Sequence, residues 1–115
     1  MGVGLRIGLE EIEQRVILRL DGRLDAATAP ILDRKLISLV EEHHVRLLLD
    51  FTHVDYLSSA GLRVLLSISK KAKAQKGFLV LFALQEGVLD IVKMAGFDKI
   101  FHISLNEKEA LQAYK

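Results

Sequence analysis

The chain has 115 residues, of which 50% are hydrophobic and 27% charged, with a formal net charge of +1 and no cysteine. A chain of this length buries roughly two thirds of the surface it exposes when unfolded, so residues 1–115 are expected to form one domain around one apolar core, without a disulfide or metal staple. The lack of cysteine excludes thiolate catalysis and Cys-based zinc sites and fits a reducing, cytoplasmic setting, while the near-neutral charge speaks against direct nucleic-acid binding. The basic cluster Lys70, Lys71, Lys73 and Lys76 suits the C-terminus of a helix, where cations complement the dipole. No stretch approaches the roughly twenty apolar residues of a membrane span, and residues 1–8 lack the apolar core of a signal peptide.

In chain order, Leu5, Ile7 and Leu9 alternate with Arg6, Gly8 and Glu10, as a half-exposed strand requires. Val16, Leu18 and Leu20 repeat the pattern, and the short link through Glu13 and Gln14 predicts an antiparallel pair. Asp21-Gly22 is expected to punctuate the chain. Pro30 suits a first helical turn, after which Leu32, Leu36, Leu39 and Val40 recur at helical spacing. Residues 45–51 and 78–82 are nearly continuous apolar runs of the kind found in strands covered on both faces. Between them Leu62, Leu65, Leu66, Ser69 and Ala72 form one helical stripe, with Gly77 expected as its C-cap. A helix over residues 86–95 stopped by Gly96, a short strand at 100–103, and a helix from Asn106 to about Tyr114, with Glu109 completing a capping box, finish the chain. The order is β-β-α-β-α-β-α-β-α. It predicts an α/β domain with a mixed sheet whose helices pack mainly on one face.

A parallel crossover puts the loop after a central strand at the carboxyl edge of the sheet, where α/β proteins usually place their function. Here that loop is expected over residues 52–62 and holds Ser58 and Ser59 before the small residues Ala60 and Gly61. Three readings apply. Either serine can be a plain N-cap that accepts a backbone N–H. A nucleophile elbow is opposed by Leu57, which stands where the sharp turn of G-x-S-x-G needs glycine. None of His43, His44, His53 and His102 has a spacing that brings a base to Ser59, and neither the histidines nor the carboxylates show a metal-ligand pattern. The third reading is a switch: a phosphate on a serine at a helix start is tolerated by the free N–H groups and the dipole. Small Ala60 and Gly61 would let a partner come close, so that the phosphate stands in the contact.

The stretch Leu47-Leu48-Leu49-Asp50-Phe51 through Asp55-Tyr56-Leu57-Ser58-Ser59-Ala60-Gly61-Leu62-Arg63 closely resembles the signature of STAS domains, in particular the bacterial anti-sigma factor antagonists. Asp21-Gly22-Arg23-Leu24-Asp25 resembles the family's turn after the second strand, and Met94-Ala95-Gly96-Phe97-Asp98-Lys99-Ile100-Phe101 with Glu109-Ala110-Leu111 resembles its C-terminal portion. The resemblance implies a binding module that is not an enzyme and needs no cofactor. Unphosphorylated, such a protein binds an anti-sigma factor with serine kinase activity and frees a sigma factor. Phosphorylation by that kinase breaks the complex, and a serine phosphatase resets it. The family's acceptor stands two residues before the loop glycine, which maps onto Ser59, with Ser58 as second choice because the family often has Asp there. Asp25, Asp50, Ser58, Ser59, Ala60, Gly61 and Arg63 are the implied partner-binding residues. For Asp25 and Asp50 a role in capping or bracing the loops stands equally open. The alternative role within the family is a STAS subunit of a lipid transporter or a stress-signalling scaffold.

Overall fold

The computed structural model describes residues 4–113. The elements are β1 (Leu5–Ile12), β2 (Arg15–Leu24), α1 (Ala29–Glu41), β3 (Arg46–Leu57), α2 (Ser59–Ala74), β4 (Phe78–Phe82), α3 (Glu86–Met94), β5 (His102–Ser104) and α4 (Glu107–Ala113), with a 3-10 turn over Phe97–Lys99. The nine-element order expected from periodicity is the one observed. Tyr114, named above as the end of the last helix, lies outside the described residues.

The strands form one sheet in the order β1-β2-β3-β4-β5. β1 and β2 are antiparallel, and β2 through β5 are parallel. The antiparallel pair closes through Glu13 and Gln14, both at positive φ (49° and 69°). That is the two-residue turn whose twist matches paired strands. Each later crossover steps one strand in the same direction. Since such connections are right-handed, α1, α2 and α3 must stack on one face of the sheet. Leu32 and Leu36 of α1, Leu65 and Ile68 of α2 and Val88 and Val92 of α3 pack there against Leu18, Leu49 and Leu81. The opposite face has a smaller core of Ile17, Leu48, Phe78, Val80 and Phe82, and Ala110 of α4 packs into it. Helices on both faces explain why β3 and β4 are apolar without alternation.

Two expectations fail at the carboxyl end of β2 and β3. Asp21-Gly22 does not end β2, which runs on to Leu24, and residues 52–57 are not a loop but the second half of β3. The two halves pair through Asp21↔His53, Gly22↔Val54, Arg23↔Tyr56 and Leu24↔Leu57. β3 takes in one extra residue after the Arg19↔Asp50 pair and another after Gly22↔Val54. The two bulges destroy strict alternation, so the segment does not look like a strand. The first is held by Asp50, whose Oδ1 accepts the N–H of Thr52 at 2.9 Å. Gly22 sits at φ +131° with the carbonyl of Gly4 2.1 Å from where a Cβ would be, so glycine here permits strand contact and does not mark a stop.

Gly77 also differs from expectation. The residue in the left-handed conformation after α2 is Lys76 (φ 65°). Gly77 is required because a Cβ there would lie 2.0 Å from the carbonyl oxygen of Val45. Gly96, at φ +79°, does follow α3 as its stop. The fifth strand begins at His102, two residues later than expected, because the 3-10 turn sets Phe97 edge-to-face on Phe101 with ring centroids 5.5 Å apart. Asn106 caps α4 as predicted, its Oδ1 accepting the N–H of Glu109 at 2.9 Å.

Candidate functional site

Because β2 and β3 end side by side at Leu24↔Leu57, the chain leaves both strands toward adjoining helix starts. The N–H of Ser58 donates to the carbonyl of Leu24 at 2.9 Å and ties the two exits together. Ser58 is the N-cap of α2, extended at φ −102° and ψ 171°. Its Oγ accepts the N–H of Gly61 at 3.3 Å, and its carbonyl accepts that of Leu62 at 3.0 Å. One of the two serines is therefore the plain cap. Ser59 is the first residue of α2 and is exposed. Among the described residues its hydroxyl has no hydrogen-bond partner.

Beyond Ser59 the helix phase separates the small and large residues. Leu62 is buried at 5% exposure while Arg63 faces solvent. Gly61 is buried, and the side lacking a Cβ is turned inward. A Cβ would stand 2.7 Å from Cγ of Leu24 and 2.9 Å from Cδ1 of Leu57. This corrects the reason given for glycine at the sequence level: its smallness lets α2 seat on the ends of β2 and β3. Ala60 is half-buried and does reach the outside. With Arg63 and Val64 it forms one wall of an open groove of about 350 Å³, whose other wall is Ala26, Ala29 and Pro30 at the start of α1.

Asp25 opens the turn before α1. Its Oδ1 accepts the backbone N–H groups of Ala27 and Thr28, each at 3.0 Å, and the Thr28 hydroxyl returns a bond by accepting the N–H of Asp25 at 2.9 Å. This is a reciprocal capping arrangement. The backbone N–H of Thr28, then its hydroxyl and Ala27, hold the Asp25 carboxyl below the usual carboxylate range despite some desolvation. Asp50 is placed differently. It projects from β3 to the α4 face, where Arg19 donates to it at 3.1 Å and also bonds Glu107 of α4 and, at 2.8 Å, Glu10 of β1. Burial pushes the Asp50 carboxyl up, but the bonds from Thr52 and Arg19 outweigh it and hold the group low. The Arg19 guanidinium is correspondingly raised, first by Glu107.

Asp25, Ser58, Ser59, Ala60 and Arg63 thus share the carboxyl end of β2 and β3, whereas Asp50 braces α4. Two residues not singled out from the sequence join the site's edge. The guanidinium of Arg23 lies 4.4 Å from the centroid of the Tyr56 ring, and its Nε is 3.6 Å from Asp25. The pairing depends on the second bulge, which sequence spacing does not reveal. Of the histidines named above, His43 lies away from this corner, its Nδ1 3.3 Å from Gln75 at the opposite end of α2; His53 is an exposed residue of β3, and His102 begins the edge strand β5. Among the described residues no group of three or more His, Asp or Glu could hold a metal ion, and no helix is long and apolar enough to cross a membrane. The corner can therefore offer a partner an exposed hydroxyl, a shallow groove and charged rims.

Comparison with known proteins gives a consistent picture. Residues 6–110 match the STAS domain family. A Bordetella bronchiseptica protein named as an anti-sigma factor antagonist, BtrV, is 32% identical over 111 residues, covering 96% of this chain and 96% of its own. The anti-sigma-B factor antagonist of Bacillus subtilis is 27% identical over 110 residues, covering 96% of this chain and 100% of its own. Among solved structures, the anti-sigma factor antagonist SpoIIAA in its unphosphorylated form superposes with a TM-score of 0.80 at 19% identity over 94% of this chain and 95% of that one. The phosphorylated form of the Bacillus protein does so with 0.73 at 18% over 96% of this chain and 100% of that one. At such identity the superpositions speak for the fold.

Proposed function

This chain belongs to the STAS domain family, and from that premise we propose that it acts as an anti-sigma factor antagonist switched off by phosphorylation at Ser59. Unphosphorylated, it binds an anti-sigma factor that is also a serine kinase and so frees a sigma factor in the bacterial cytoplasm. The kinase transfers phosphate to Ser59 and the complex falls apart; a serine phosphatase restores the binding form. The chain contributes a surface and an acceptor to this cycle, not catalysis.

One observation carries the choice of acceptor. The Ser58 hydroxyl is engaged as the cap of α2, whereas the Ser59 hydroxyl is exposed and without a partner among the described residues. Phosphorylating Ser59 adds charge where the helix dipole and the N–H groups of the first turn favour an anion, so the fold tolerates the product. The phosphate then stands beside Ala60, Arg63 and the groove toward α1, where a partner would need a close, desolvated contact. Loss of binding follows from local charge and bulk.

Incubation with the cognate kinase and ATP, followed by peptide mass mapping, tests the assignment. The expected result is a single phosphate at Ser59, abolished in Ser59→Ala and retained in Ser58→Ala. Phosphate on Ser58, or continued labelling of Ser59→Ala, would overturn it.

A further inference from the structure

The two edges of the sheet are unlike. β5 is an edge of three residues, whereas β1 presents eight residues in unbroken register with β2, with no proline and no bulge. A long regular edge of this kind is a template for another strand unless something covers or distorts it. Its side chains are also unusual for a free edge. Leu9 is 46% exposed on the same side as Leu5 and Ile7, which pack toward α1, and the other side carries Arg6 and Glu10 flanking Gly8. Nothing inside the chain demands glycine at position 8, because a Cβ there would meet only the Cβ of Arg19 at an ordinary 3.7 Å.

We propose that β1 is a self-association edge, pairing antiparallel with β1 of a second copy of this chain about a two-fold axis at Gly8, so that two five-stranded sheets become one. Antiparallel partners about that axis have residue numbers symmetric around 8, and directly opposed side chains share a face. Ile7 then lies opposite Leu9 of the second copy on the α1 side, twice over, and covers the exposed leucine. On the other side Arg6 lies opposite Glu10 of the second copy, also twice; Arg19 of its own chain bonds Glu10 through Oε1 at 2.8 Å, which leaves Oε2 for the new partner. Shifting the register by one symmetric step, to an axis at Ile7 or at Leu9, takes Arg6 away from Glu10, so the charges select Gly8 as the centre. The same register sets Glu11 of the second copy against Leu5, at the mouth of an open groove of about 500 Å³ between β1 and α1 that is rimmed by Arg34 and Lys35. Both the sheet edge and the neighbouring groove are thus complementary in charge to a second copy. The edge lies two strands away from β3, on which Ser59 follows, so the pairing is independent of the switch proposed above.

Sedimentation velocity over about a hundredfold range of protein concentration tests this by mass action. The wild-type chain should pass from monomer to dimer. Arg6→Glu and Glu10→Lys, each alone, face like charges across both symmetric contacts and should self-associate at least about tenfold more weakly; because Glu10→Lys also loses its bond to Arg19 of the same chain, both variants are first shown by circular dichroism to keep the wild-type fold. An equimolar mixture of the two restores attraction at every contact, Glu at 6 against Lys at 10 and Glu10 against Arg6, and should dimerise again. Leu9→Lys, at a position the single chain leaves exposed, should be monomeric with an unchanged circular dichroism spectrum. A wild-type chain that stays monomeric throughout, a Leu9→Lys chain that dimerises like wild type, or a mixture of folded charge variants that stays monomeric would each overturn the proposal.

Discussion

Adjacent serines at the start of α2 differ because the helix geometry treats them differently. Ser58 is held outside the helix in extended conformation and spends its hydroxyl on Gly61, while Ser59, one residue on, has turned outward. The same phase argument separates the next residues. Leu62→Ala removes a side chain that is 5% exposed and should destabilise the fold by about 2 to 4 kcal/mol. Arg63→Ala should leave the melting temperature nearly unchanged and weaken binding to the kinase partner. Equal losses of melting temperature in the two variants would contradict the observed phase. Gly61→Ala provides a sharper check on why glycine is there. Its Cβ would crowd Leu24 and Leu57 at under 3 Å, and overpacking of that kind costs about 1 to 3 kcal/mol, more than the roughly 1 kcal/mol of helix propensity that alanine gains. Urea denaturation should therefore show Gly61→Ala less stable than wild type, and an increase in stability would mean that α2 seats less tightly than described.

The elements themselves were largely legible, because amphipathic helices and buried strands announce themselves by period: Leu32, Leu36 and Leu39 mark α1, and the run from Phe78 to Phe82 marks β4. The second half of β3 was not. Its bulges are produced by the Asp50–Thr52 turn and by pairing with a glycine-bearing stretch of β2 some thirty residues away, and no local pattern encodes such a partner. Gly61 and Gly77 stand out in the sequence, but the physical reason for them does not, since close approach to Leu24, Leu57 and Val45 is a tertiary fact. Asp50 shows the same limit: the sequence left it between binding and bracing, and only the fold reveals that Arg19 joins it to Glu107 and so fastens α4 to the sheet. Asp50→Asn breaks one ion pair of that brace and should cost about 1 kcal/mol at neutral pH, the arginine being partly exposed. The loss should depend on pH. The Asp50 carboxyl titrates below its ordinary range in the folded state, so its contribution is complete above the unfolded value of about 3.9 and disappears as pH falls through the lower folded value. Melting temperatures of wild type and Asp50→Asn should therefore differ at pH 7 and converge in acid. A gap of constant size down to acid unfolding would deny Asp50 its ion-pair role.

At the scale of the whole molecule, a run of crossovers in one direction gathers α1, α2 and α3 on one face and brings the starts of α1 and α2 together at the carboxyl end of the sheet. That corner is rigidly seated by Gly61 and by the Ser58–Leu24 bond, so a phosphate added there should change what binds without changing the fold. The unphosphorylated and phosphorylated forms of SpoIIAA both share this fold. The most direct measurement is titration calorimetry of the anti-sigma factor with three preparations, wild type, Ser59→Ala and the chain phosphorylated at Ser59, each shown by circular dichroism to have the same fold. Wild type and Ser59→Ala should bind alike. The phosphorylated chain should bind about a hundredfold more weakly, roughly 3 kcal/mol. If the phosphorylated chain bound as tightly as wild type, or if its loss of binding came with a changed spectrum, the account of Ser59 as a local switch on a fixed scaffold would be contradicted.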